Sequence, residues 1–140
     1  MVGGQVVSVE PLGIIELGDV CARMRAQSLD LFRDLGTWVR VADHEHQRWY
    51  ATACHRHAWH AELWAQRSPT IPPVDLDAAV ANARRSRLPD APDPPAYRSL
   101  LATMLADLDD LGGRVDADLD PATDRVLTLV RRDLTELRDR

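Results

Sequence analysis

A chain of 140 residues, 45% of them hydrophobic, can enclose one core without help from disulfides or structural metals. Its formal net charge of -5 is spread along the sequence with no basic stripe, which disfavours nucleic acid as a partner, and no apolar run approaches the ~20 residues of a membrane span. Two cysteines, Cys21 and Cys54, are too few for a secreted disulfide framework, and residues 1–13 lack the basic patch and apolar run of a signal peptide. The expectation is therefore a soluble cytoplasmic protein with reduced thiols. Every basic residue is arginine, and the absence of lysine beside heavy Ala, Asp, Arg and Leu usage is a composition expected of a GC-rich bacterial genome.

Residues 1–15 read as a loosely ordered N-terminus, because Gly3, Gly4 and Pro11 punctuate a segment without sustained periodicity; residues 5–9 could be extended. From residue 16 to 41, Val20, Met24, Leu31, Leu35 and Trp38 recur at helical spacing, with Phe32 and Val39 widening the stripe. Asp43 stands where an N-cap belongs, with Glu45 near the positive end of the helix dipole, and a second helix should run over 44–67 until Ser68-Pro69 stops it. Residues 68–95 form a proline-rich crossover carrying a short helix over 76–87, capped by Asp75, and residues 89–95 should be extended. Tyr97, Leu101, Met104, Leu108 and Leu111 set the face of a third long helix, ended by Gly112 and Gly113. Asp120-Pro121 then opens a fourth, lined by Val126, Val130, Leu134 and Leu137. The expected architecture is one all-α domain over residues 1–140. Two antiparallel hairpins joined by a long crossover have the connectivity of ferritin-like bundles.

The second helix carries the chemistry-bearing residues. His46, Tyr50, Ala53, His57, His60 and Trp64 alternate steps of four and three and so form one seam facing the interior. Buried imidazoles need partners for their ring nitrogens or incur a desolvation cost. His57 and His60 are adjacent on the helix surface and could share one ion or one ligand, while His46 lies about 16 Å from His57 along the axis and cannot join them. Tyr50 and Trp64 complete the lining of a candidate ligand site. On the fourth helix Asp133 falls three after Val130 and four before Leu137, pointing inward. His57, His60 and Asp133 can thus hold one divalent ion (iron, zinc or manganese), act as an acid–base pair or organic-ligand site, or form a satisfied structural network, with the last ranked first.

The run His57-Ala58-Trp59-His60-Ala61-Glu62-Leu63-Trp64, followed by Arg67-Ser68-Pro69, and the run Leu119-Asp120-Pro121-Ala122-Thr123 resemble ferritin-like four-helix bundle proteins of a small actinobacterial type with a degenerate diiron site. The resemblance covers the four long helices and implies a ferritin-like antiparallel bundle. Diiron members of that class place a Glu on each of two helices and Glu-x-x-His on each of the other two. Here the first helix offers Ser28, the third offers Tyr97, and no Glu-x-x-His occurs, so a conventional diiron oxidase or iron-storage site is disfavoured.

The remaining signals are local. Asp43-His44-Glu45-His46 reads as a capped, solvated first turn, and Glu62 as a surface residue near His55. Arg84, Arg85 and Arg87 read as a solvated helix end. Trp38, Trp49, Trp59 and Trp64 all lie in the first helical hairpin; of Trp49 and Trp59, one could mark a partner surface. The functional expectation is a binding or interaction protein, a homodimer through an aromatic helix face with a small molecule or another protein as further partner. The alternative is an enzyme or sensor that uses the interior histidines with a mononuclear metal or small ligand, and enzyme status is left open.

Overall fold

The structure, a computed structural model, describes residues 11–69, 78 and 86–140. Among them are four long helices, α1 (Ile14–Val41), α2 (His44–Arg67), α3 (Pro94–Gly112) and α4 (Pro121–Arg138), and no strand. No helix among the described residues is long and apolar enough to cross a membrane. The expected extended stretch at 5–9 lies outside the described residues, as do Asp75 and the short helix up to residue 85 except for Ala78, which is helical. Ser86 and Arg87, expected at that helix's end, are not helical.

Asp43, Asp93 and Asp120 cap α2, α3 and α4 through carboxylates that accept from the amides of His46, Ala96 and Thr123. α1 begins at Ile14, inside the span expected to be loose, and Leu12 just before it donates its amide to the Arg114 carbonyl at 3.3 Å. Pro94 and Pro95 are not part of an extended connection either. They occupy the first turn of α3, where a missing amide hydrogen removes no helical bond, so the cap at Asp93 outweighs the proline signal.

α2 packs against α1 on one side and α4 on the other, and α3 packs against α4. Among the described residues no Cα of α3 comes within 8 Å of one in α1 or α2, so that space is spanned by large side chains. Trp38 and Tyr97 meet edge to face with centroids 6.5 Å apart, and Trp38 packs likewise on Tyr50 at 5.2 Å. Leu31, Leu35, Leu101, Leu108, Leu134 and Leu137 fill the interior around them. Phe32, expected to widen the buried stripe of α1, is instead 41% exposed. At Gly36 the backbones of α1 and α2 run close, and a Cβ there would lie 3.8 Å from Cys54 Sγ.

One rail of α1 is polar. Gln27 bonds both backbone groups of Ser86, Asp34 holds Arg87 through two nitrogens, and the Trp38 indole donates to the Pro89 carbonyl at 3.0 Å. Asp30 is buried on the same rail. The chain returning toward α3 is thereby laid along α1.

Asp120 both caps α4 and receives Arg67 at 3.1 Å, so it ties the end of α2 to the start of α4. Asp120→Ala is expected to lower the unfolding free energy by about 1–2 kcal/mol, the worth of a good cap plus a partly exposed ion pair. Urea denaturation checks this, and an unchanged midpoint would show that the cap contributes nothing.

Candidate functional site

The helical period of α2 places His57 and His60 one turn apart, both with no exposed surface, on the side facing α3 and α4. Each ring sends Nε2 to a different helix. His57 Nε2 is 2.7 Å from the Tyr97 hydroxyl on α3, and His60 Nε2 is 2.8 Å from Asp133 Oδ2 on α4. Because a carboxylate only accepts, His60 Nε2 carries the proton of that bond and its Nδ1 is left as the lone-pair nitrogen. Nδ1 of both rings is buried without a hydrogen-bond partner among the described residues, as is the Tyr50 hydroxyl. The two rings stand edge to face, 5.8 Å apart.

Asp133 is the bridge from this interior to the surface. Arg56 Nη1 lies 3.9 Å from its other oxygen and donates to Glu136 at 2.8 Å. Burial holds His57 well below the usual imidazole range, and the neighbouring His60 adds to the effect. Burial also lowers His60, against the opposing pull of Asp133. Both are neutral near pH 7. Burial raises the Tyr97 and Tyr50 hydroxyls. The thiols are quiet: burial pushes Cys21 up to about 12 and raises Cys54, whose Sγ donates to the Phe32 carbonyl at 3.1 Å, so neither is a thiolate nucleophile at neutral pH.

Of the residues singled out in the sequence, His57, His60 and Asp133 lie on the interior side of the bundle, with His60 and Asp133 directly bonded. Trp64 is buried one turn beyond His60, and Tyr50 stacks on Trp49 with centroids 5.2 Å apart. His46 is not interior. It sits half-buried at the start of α2, its Nδ1 2.9 Å from Asp43 Oδ1, because the capping carboxylate competes for the ring. Tyr97 is the partner that residue spacing did not reveal; the only signal was its position as the polar-capable residue among the apolar ones of α3. Of the tryptophans in question, Trp49 is buried and donates to the Leu137 carbonyl, while Trp59 is 45% exposed.

The donor set does not fit a dinuclear iron centre. Among the described residues the polar groups around His57 and His60 are a phenol on α3 and one carboxylate on α4 already paired with His60, while the buried carboxylate of α1, Asp30, lies on the rail of Gln27 and Asp34. Such a centre needs carboxylates from all four helices. Among the described residues the three candidate ligand atoms that lie within 4.8 Å of one another belong to Asp43, Glu45 and His46, at the solvated start of α2, and not to His57, His60 and Asp133. Comparison with family models, curated proteins and solved structures finds no match to this chain.

Neutral burial of two histidines sets a pH dependence. Their folded pKa values lie below the unfolded value of about 6.5, so the unfolded chain takes up protons that the native state refuses as pH falls. The stabilisation is fully present above pH 6.5 and declines below it, by up to roughly 1.4 kcal/mol per pH unit for each histidine. The lowered carboxylates Glu16, Asp43 and Asp120 act only in the acid range near pH 4 and below, which leaves the window from about 6.5 to 5 to the histidines. Denaturation midpoints should fall across that window, and fall less in His57→Gln. A flat profile in the parent would contradict the burial of neutral rings.

Proposed function

We propose that this chain is a ferritin-like helical bundle without a dinuclear centre, acting as a binding or interaction protein, with His57, His60, Tyr97 and Asp133 as its interior polar network. The observation that carries this reading is that the Nε2 atom of each interior histidine is already committed to a neighbouring helix at 2.7 and 2.8 Å. The ferritin-like connectivity is supported by the two helical hairpins, α1 with α2 and α3 with α4, and by the long chain between residues 67 and 94.

A second reading draws on the two buried Nδ1 atoms that lack partners. There His57 and His60 would bind one iron, zinc or manganese ion, with Asp133 orienting His60 from behind as carboxylates do for metal-bound imidazoles. Such a site would serve an enzyme or a sensor, with Tyr50 and Trp64 near a small ligand.

Metal analysis of protein purified without an affinity tag, combined with His60→Ala, separates the two. Under the first reading the protein holds no stoichiometric metal, added zinc, iron or manganese leaves Tm unchanged, and the substitution costs ~1–3 kcal/mol because Asp133 loses its buried donor. If a metal raises the Tm of the parent and not of the variant, binding to the native state has been demonstrated and the second reading replaces the first. Asp133→Asn keeps the shape and removes the charge, and under the first reading it should destabilise less than His60→Ala.

A further inference from the structure

Among the described residues α2 has neighbouring helices on two sides, α1 and α4, and none packs on its outer face. At the middle of that face stands Trp59, the one tryptophan of the chain that is not buried or half-buried, with 45% of its surface exposed. His55 and Glu62, both exposed, flank it one turn away on either side. Ala51, Ala58 and Ala65 recur every seven residues along one flank of this face, leaving room beside the indole, while the exposed Arg48 and Gln66 stand further along the face toward its two ends.

We propose that this face binds a second copy of the chain, with α2 packing antiparallel on α2 of the partner about a two-fold axis lying between positions 58 and 59. That axis sets Trp59 on the partner's Ala58 and His55 opposite the partner's Glu62, twice over. The sequence of the face is therefore complementary to itself in the sense an isologous interface requires: each residue finds a different, matching residue on the copy. An exposed indole in a shallow small-residue setting, rimmed by a donor and a carboxylate, is the arrangement of an interface centre and its polar rim. A parallel pairing would place His55 on His55 and Glu62 on Glu62 and forfeit the match. The partner thus named deepens the binding role proposed above, and its test reads association alone, whatever the metal content and the stability of the His60 variant turn out to be.

Sedimentation equilibrium over about 1–100 µM tests it. The parent should be a dimer that dissociates on dilution. Trp59→Glu should weaken association at least about tenfold while the helicity of the monomer stays the same and its Tm falls only slightly, because the residue is already 45% exposed. His55→Glu and Glu62→Arg should each weaken it about threefold, and the double variant, which reverses the pair, should recover most of the parent's affinity. A parent that stays monomeric throughout, a dimer indifferent to Trp59→Glu, or a double variant no better than its singles would overturn the proposal.

Discussion

Two imidazoles buried in successive turns of one helix oblige the neighbouring helices to present polar groups at matching heights. Each bond made is worth on the order of 1 kcal/mol net, but each one missed leaves a buried polar group at a cost of about 1–3 kcal/mol. The second figure is what fixes the fold. A slide of α3 or α4 by one turn would still bury leucines against leucines, yet it would carry Tyr97 away from His57 and Asp133 away from His60. The network therefore selects one register among several that the apolar stripes alone would accept. It is also graded in polarity, from the fully buried Tyr97 through the histidines to Asp133, whose side chain is 16% exposed, and out to Arg56 and Glu136 at the surface.

α1 is secured differently. It approaches α2 closely at Gly36, but toward α3 its contacts are made by side chains and by the segment returning from α2. Gln27 satisfies both the amide and the carbonyl of Ser86, and the Trp38 indole takes the carbonyl of Pro89, so backbone groups that no helix can pair find partners on α1. Trp38 thereby belongs to the core by its ring and to the connection by its nitrogen. Trp49 is likewise a core residue by its ring, but its indole holds the Leu137 carbonyl in the last turn of α4, and Arg98 lies 4.7 Å over its ring.

The sequence made legible whatever is decided within one helix. Asp43 and Ser68-Pro69 bound α2 by local chemistry, and the three-and-four spacing of Val130, Asp133 and Leu137 turned a carboxylate inward where it does meet His60. What spacing could not supply is the rotation of one helix against another, and so Tyr97 was identifiable as a polar core residue of α3 without being identifiable as the partner of His57. His46 shows the reverse failure: its place on the seam was right by period, but the Asp43 carboxylate three residues earlier outcompetes the interior for its ring. Asp30 was not legible as a buried residue, because a carboxylate between apolar positions reads as solvated; it lies on the rail of α1 whose Gln27 and Asp34 hold Ser86 and Arg87. Pro94 and Pro95 were ambiguous in principle, since proline favours both an extended connection and a first helical turn.

The unequal exposure of the four tryptophans divides the protein's own fluorescence into two reporters. Trp38, Trp49 and Trp64 are held in the interior, two of them with the indole nitrogen fixed on a carbonyl, while Trp59 alone presents its ring to water. A collisional quencher such as acrylamide therefore reads the outer face of α2 through one residue, and the shorter-wavelength emission that survives it reads the packing of the core. Whatever covers or uncovers that helix face leaves an optical trace with no label attached to the chain.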